Sequence, residues 1–261
     1  DVRKIYALCA TNLQEQLGVE PGPETQAVLQ RVAQNKAVPS KNYNLNTTEP
    51  PPYFRHAFFG RENELKQVFD VLDVGHRLIS LIGIGGVGKT HLASKITELS
   101  PKKIKLQTVF VSLEGAEDTE QAVLLIASKI HLRLQSGLSA LDQLITYLKH
   151  KPLLLILDNA EQLIPAFNTA ITQLLQHTEK LKILVTSRIL LRLHEEHPIR
   201  ISGLNYPYDP HTITIEQLNS YESIRFFSYW AQKRNANFQV SANNIRAIGK
   251  LCMLLEGVPL A

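Results

Sequence analysis

Apolar positions recur along this chain in two rhythms, one helical and one of short continuous runs, and the change between them divides it. Over 1–17, Val2, Ile5, Tyr6, Cys9, Leu13 and Leu17 fall on one helical stripe, which Gly18 ends. Pro21 and Pro23 punctuate a turn, and a second helix over 24–35 carries Ala27, Val28 and Val32. The pattern predicts a helical hairpin over 1–36. A solitary hairpin buries little apolar surface, and stacked helical repeats need about three units for stability. The hairpin therefore reads as the end of a repeat module, and a start at Asp1 suggests a fragment of a longer protein. Residues 37–57 are polar and Asn-rich, with Pro39 and Pro50-Pro51-Pro52, the composition of an extended linker.

From residue 58 the rhythm becomes an alternation of strands and helices. Apolar runs predict strands over 76–82, 107–112, 152–158 and 181–186, with a short fifth over 198–202. Amphipathic stretches between them predict helices opening at 60–65, then over 91–96, 118–131 and 138–149, with one more after the third strand. Near-continuous apolar strands separated by helices indicate an α/β fold with a parallel sheet covered on both faces, spanning 58–204. Beyond Gly203 the strand signal stops. A Tyr/Pro-rich loop over 205–210 leads to a helix capped by Thr214, with Gln217 three residues on, and a last helix over 241–256 ends at Gly257 and Pro259. Residues 205–261 are thus expected to form a small helical lid.

Composition narrows the partners. Hydrophobic content of 44% suffices for a core, and 28 Lys and Arg against 24 Asp and Glu give a net charge of +4 with no dense basic run. Direct contact with DNA is not expected from such a surface. The longest apolar run, 153–157, is far too short to span a bilayer, and no secretory signal is visible. Cys9 and Cys252 lie within apolar helical patterns and read as buried thiols of a reducing, cytoplasmic compartment.

The strongest chemical signal is Gly83-Ile84-Gly85-Gly86-Val87-Gly88-Lys89-Thr90, a full match to the phosphate-loop pattern G-x-x-x-x-G-K-[ST] between a strand and a helix. Backbone N–H groups unobstructed at Gly85, Gly86 and Gly88 can wrap a polyphosphate, and the N-terminus of the following helix attracts the same charge. In this arrangement Val87 and His91 belong to the cradle, Lys89 reaches the β- and γ-phosphates, and the Thr90 hydroxyl ligates Mg²⁺. A two-part site also needs an acidic strand end, and Leu153-Leu154-Leu155-Ile156-Leu157-Asp158 supplies one. Asp158 is expected to hold Mg²⁺ together with Thr90.

Two further positions stay open on sequence alone. Asn159 stands where a water-polarising carboxylate often follows the Mg²⁺ aspartate, and an amide cannot act as a base. Glu161 is then either its substitute or a solvated residue in the first turn of a helix. Arg188, closing Thr186-Ser187-Arg188, is either a bidentate reader of the γ-phosphate or a surface residue at a strand end. His194-Glu195-Glu196-His197 spaces its histidines three apart rather than four, unlike a zinc-protease helix, and reads as a solvated turn. Phe226, Phe227 and Trp230 stand near Ile224 at core-like spacing and read as lid packing. No Lys-x-Asp occurs in the chain, so the guanine-reading element of GTPases is missing and adenine is the expected base.

In this order the motifs resemble the STAND class of signalling ATPases, the NB-ARC-like branch of the P-loop AAA+ lineage. The matching residues are Phe59-Gly60-Arg61-Glu62-Asn63-Glu64-Leu65, 83–90, 153–162, 182–188 and Glu256-Gly257-Val258-Pro259-Leu260-Ala261. Leu157-Asp158-Asn159-Ala160-Glu161-Gln162-Leu163 looks most like large bacterial transcriptional regulators of this class. Leu8-Cys9, Leu17-Gly18-Val19-Glu20-Pro21 and Glu24-Thr25 resemble the end of a bacterial transcriptional activator domain. The resemblance implies a P-loop NTPase core with an adenine nucleotide between core and lid. Phe59, Gly60 and Arg61 would flank the base through their backbone, and Pro259 would approach it from the lid. It also implies an ATP/ADP switch with Mg²⁺, slow hydrolysis and nucleotide-dependent homo-oligomerisation. The DNA-binding and sensor domains of the regulator would lie outside this chain. The alternatives are a fast-turnover AAA+ ATPase and an interaction scaffold whose nucleotide site is vestigial.

Overall fold

Strand parity explains how this sequence builds two cores on one sheet. A computed structural model describes residues 58–209 and 213–260. The expected hairpin over 1–36 and the linker over 37–57 lie outside the described residues. The elements run α1 (Glu62–Val74), β1 (Leu78–Ile82), α2 (Lys89–Lys103), β2 (Gln107–Ser112), α3 (Thr119–Lys129), α4 (Ala140–Leu148), β3 (Leu153–Asp158), α5 (Ala166–His177), β4 (Leu181–Ser187), β5 (Glu196–Arg200), α6 (Glu222–Arg234) and α7 (Ile245–Leu254). Short 3₁₀ turns occupy Ala160–Gln162 and Ile215–Ser220. The five strands pair in the order β2-β3-β4-β1-β5, and every pairing is parallel.

Alternate residues of each strand face opposite layers because the side-chain period of a strand is two. Leu153, Leu155 and Leu157 join Ile183 and Val185 in a core with α3, α4 and α5. Leu154 and Ile156 join Leu184, Ile79 and Leu81 in a second core with Val68, Phe69 and Leu72 of α1 and Leu92, Ala93 and Ile96 of α2. These strand positions are nearly all fully buried, which is why they read as continuous apolar runs. Asp158 and Thr186 share parity with the second set and so emerge on the side of α2.

The fifth strand lies two residues earlier than its apolar signal, starting at Glu196. It is an edge strand paired only with β1, where Pro198 can sit without breaking a ladder. The expectation of a solvated turn at 194–197 holds for His194 and Glu195, which form an exposed turn, and fails for Glu196 and His197, which belong to β5. The Glu196 carboxylate accepts from the Ser80 hydroxyl and from the backbone N–H groups of Leu191 and Arg192, and the His197 ring packs on His76. No cluster of potential metal ligands occurs among the described residues. No helix among them is long and apolar enough to cross a membrane.

After β5 the chain forms a small helical unit with its own core of Ile213, Ile224, Ile245, Ile248 and Cys252, against which Phe227 and Phe238 pack. Gln217 Oε1 accepts from the Thr214 N–H at 3.3 Å, but the turn so opened is 3₁₀, and the α-helix begins only at Glu222. The helical unit is sewn to the sheet by backbone. Leu204 N donates to Gly257 O at 2.8 Å, and Ser223 N donates to Asn205 O at 3.1 Å. The chain crosses itself closely there: a Cβ on Gly257 would stand 2.0 Å from Leu204 O, and Gly257 has φ of +66°. Only glycine fits that position.

Candidate functional site

The carboxyl ends of β1, β3 and β4 meet under the helical unit, at the edge where open α/β sheets collect ligands. The loop 83–90 leaves β1 and turns into α2, using φ of +76° at Gly86 and +101° at Gly88, where side chains are disfavoured. Lys89 opens α2 and is only 7% exposed. Its Nζ donates to Gly83 O at 2.8 Å and Ile84 O at 3.0 Å, folding the side chain under the loop crest. Burial lowers the Lys89 pKa, the nearby Glu161 opposes that shift, and Arg188 adds to it.

Behind the loop, two threonine hydroxyls converge on one carboxylate oxygen. Thr90 Oγ1 donates to Asp158 Oδ1 at 2.9 Å, and Thr186 Oγ1 donates to the same atom at 2.6 Å. Thr186 in turn accepts from the Asn159 N–H at 3.0 Å, so β4, lying between β1 and β3, links the two halves of the site. Asp158 is 2% exposed, and its burial pushes the carboxyl pKa up, with the two hydroxyls holding it back in part. A carboxylate oxygen beside a hydroxyl is a donor set for a hard cation such as Mg²⁺.

Glu161 and Arg188 stand at the mouth of the same space. Arg188 Nε donates to Glu161 Oε1 at 3.0 Å, and the guanidinium lies over Gly85. The solvated alternative for Glu161 does not hold, since its side chain is 18% exposed and sits in a 3₁₀ turn rather than an α-helix. Arg61 takes an unexpected part. Its side chain, rather than its backbone alone, enters the site: it donates to Val87 O at 3.1 Å, to Ser202 O at 2.5 Å and to Glu64 Oε1 at 2.7 Å. One guanidinium thereby ties the phosphate loop to the strand end that leads into the helical unit.

A cleft of about 390 Å³ runs from the loop to the helical unit. Of the residues expected at the site, Phe59, Arg61, Gly85, Gly86, Val87 and Gly88 line it. So do Lys89, Thr90, His91, Glu161, Arg188 and Pro259. Gly60 faces a second, polar cavity instead, where Glu222 packs against it, and Asp158 lies behind Thr90 rather than on the wall. The sequence reading missed Phe226 and Trp230, which were expected to be lid packing and in fact line the cleft beside Leu204 and Leu260. Phe226 meets Phe59 edge-on at 5.9 Å and Trp230 at 6.3 Å. The signal was present: two residues along a helix is a turn of about 200°. Ile224 and Phe227 can therefore fill the lid core while Phe226 and Trp230 face away from it. From the far end, Leu260 N donates to Gly86 O at 3.3 Å, bringing the lid terminus onto the phosphate loop.

Several known proteins are similar to this chain. A Mycobacterium tuberculosis protein that bears the provisional name HTH-type transcriptional regulator is 31% identical over 187 residues, 71% of this chain and 19% of the relative. The chain thus spans about a fifth of that protein's length. Among solved structures, Cdc6p from Pyrobaculum aerophilum aligns at a TM-score of 0.53 and 17% identity, over 79% of this chain and 57% of that one. Drosophila ORC bound to DNA aligns at 0.55 and 14% identity, over 76% of this chain and 58% of that one. These two likenesses concern the fold. Residues 72–202 match the AAA domain family, a segment that holds all five strands, the phosphate loop, Asp158, Glu161 and Arg188. On that match over half its length, the chain belongs to the AAA domain family and has the AAA+ P-loop NTPase fold.

Proposed function

We propose that this domain is an adenine-nucleotide-dependent switch of the STAND, NB-ARC-like type. In this reading it binds ATP or ADP with Mg²⁺, hydrolyses slowly and forms part of a larger cytoplasmic transcriptional regulator. The observation that carries the reading is the meeting of Thr90 Oγ1 and Asp158 Oδ1 at 2.9 Å behind the Lys89 loop, in a cleft that lid residues Pro259 and Leu260 help to wall. Lys89 and the loop N–H groups hold the phosphates, and Thr90 and Asp158 supply the oxygens for the cation. Phe59, Phe226, Trp230 and Pro259 offer the base an apolar wall. Mg²⁺ held by Thr90 and Asp158 would neutralise phosphate charge; this chain's own contribution is to position and to exclude water.

The carboxylate arrangement supports slow turnover. Asn159 cannot take a proton from water, and Glu161, the remaining candidate base, is engaged by Arg188. The likeness to a larger HTH-type regulator supports a regulatory role, with DNA-binding and sensor domains elsewhere in the protein and homo-oligomerisation as the output. The division into a repeat module over 1–36, a linker over 37–57, a nucleotide core over 58–204 and a lid over 205–261 belongs to the same proposal.

Titration of the purified chain with ATP and ADP in Mg²⁺ tests it. Wild type should bind both, and Lys89→Ala should weaken binding by about tenfold to a hundredfold, the range for a hydrogen bond to a charged group. Binding that survives Lys89→Ala unchanged would overturn the reading. Rapid steady-state hydrolysis by the isolated chain would instead favour a working ATPase over a switch.

A further inference from the structure

Arg61 is held in a costly backbone conformation, and its side chain has a correspondingly exacting set of partners. Its φ is +75°, in the left-handed region that side chains disfavour, directly after Gly60 at +62°. There it opens α1, with Leu65 N donating to Arg61 O at 2.8 Å. The side chain is 7% exposed and lines both the cleft and the second, polar cavity. Its charge is met by Glu64 Oε1, which accepts from Nη1 at 2.7 Å. The other terminal nitrogen, Nη2, donates to two backbone carbonyls, Val87 O at 3.1 Å and Ser202 O at 2.5 Å. Val87 belongs to the phosphate loop. Ser202 leads into Gly203 and Leu204, where the chain crosses Glu256 and Gly257 of the helical unit.

A trans peptide is planar, with its C=O and the following N–H pointing in opposite directions. A donor that holds Val87 O therefore turns the N–H of Gly88 the other way, towards the cleft that Gly88 lines. Leu260 does the same one peptide earlier, since its N–H donates to Gly86 O at 3.3 Å and so turns the Val87 N–H. Successive N–H groups aimed to one side form the concave surface that takes an anion. Gly88, at φ of +101°, cannot fix this peptide by packing, because it carries no side chain and even a Cβ there would meet nothing within 4 Å. Its orientation is set from outside the loop. Resting on the reading of this cleft as a nucleotide site, we propose that Arg61 is a positioning residue for phosphate binding. By holding the Val87 carbonyl it aims the Gly88 N–H at the phosphates, and by sharing Nη2 with Ser202 O it ties that aim to the seam of the lid. Arg61 acts through the backbone and does not itself touch the phosphates, its charge being taken up by Glu64. Phosphate grip and lid docking then strengthen each other, as linked equilibria must.

The test uses the full 261-residue chain and two probes, inorganic pyrophosphate and ADP, each with Mg²⁺. Calorimetry compares wild type, Arg61→Met, Arg61→Lys and Glu64→Gln, and thermal melts check that each is folded. Arg61→Met keeps an unbranched side chain and removes every donor. It should weaken pyrophosphate and ADP by the same factor, about tenfold, the worth of one hydrogen bond. Arg61→Lys keeps one donor group, should fall between wild type and Arg61→Met, and carries the test where Arg61→Met does not fold. Glu64→Gln should strengthen neither probe. A gain there would mean that Arg61 acts on the phosphates by its own charge, and would overturn the inference. A loss confined to ADP would assign Arg61 to the base end of the cleft and overturn it as well. The amide gives a direct readout by NMR of protein labelled at glycine nitrogen. At saturating pyrophosphate the ligand-induced shift of the Gly88 resonance should shrink in Arg61→Met, while that of Gly85 is kept. An undiminished Gly88 shift, or affinities unmoved by Arg61→Met, would overturn the inference and leave the nucleotide reading intact. Wild type binding neither probe would remove both.

Discussion

The phosphate end of the cleft is made from strand ends and the apolar end from helix faces, and the two are assembled under different rules. At the phosphate end, Thr90, Asp158, Thr186 and Lys89 are locked by short hydrogen bonds to one another or to loop carbonyls. Lys89, Asp158 and Thr186 are buried there and Thr90 is half-buried, so the position of each polar side chain is dictated by the need for a partner. At the apolar end, Phe59, Phe226 and Trp230 meet edge-on at 5.9 and 6.3 Å, held by shape and by the docking of the helical unit on the α/β core. The comparison teaches that one cleft can hold a rigid half and a half that depends on a seam between two units.

The seam at Gly257 is the sharpest place to break that contrast. Gly257→Val places a branched side chain at φ of +66° with its Cβ 2.0 Å from Leu204 O. The expected loss is roughly 3 kcal/mol of lid docking, combining backbone strain with overpacking. Limited proteolysis should show cutting in 205–215 while the sheet stays protected. Protection equal to wild type would mean that the two ends are not joined by this contact.

A smaller effect separates the two faces of α6. Trp230→Ala should weaken ADP binding by about two- to tenfold, the worth of one aromatic contact, with little change in the melting temperature of the protein alone. Phe227→Ala, which removes a ring packed on the lid core, should do the reverse. Calorimetry and thermal melts of both variants decide the matter, and equal behaviour would erase the distinction between the faces.

The smallest expected effect lies at the rigid end. Burial raises the Asp158 pKa above the ordinary carboxylate range. The folded protein then holds the proton more tightly than the unfolded chain, so the stability contributed is present at low pH. It is lost as pH rises through the folded value. At neutral pH the ionised carboxylate weighs against the fold. Asp158→Asn keeps an oxygen for both threonine hydroxyls and should raise Tm by about 2–4 °C at pH 7, shrinking towards pH 4. A difference that grows on acidification would contradict this account.

The same contrast explains what could be read from the chain. Four of the five strands were legible because each is built on an apolar run closed by polar residues. The phosphate end was legible because 83–90, 157–163 and 186–188 are local and each carries its own chemistry. The wall of the apolar end draws on Phe59, Leu204, Phe226, Trp230 and Leu260, spread over two hundred residues with no spacing that marks them as a set. Trp230 looked like lid packing because propensity and periodicity describe one helix at a time. Arg61 reaches Val87 and Ser202 through tertiary contacts to backbone carbonyls, which leave no trace in residue type. The start of β5 was misplaced because Glu196 and His197 look polar, and only pairing with β1 makes them strand.

Trp230 is the only tryptophan in the 261 residues, and it stands on the cleft wall. Red-edge excitation therefore selects a single indole, silent to the eight tyrosines. Displacing water from that indole by a ligand, or exposing it by lid departure, would shift its emission in opposite directions. The domain carries its own optical gauge, able to follow filling and opening in real time without a label.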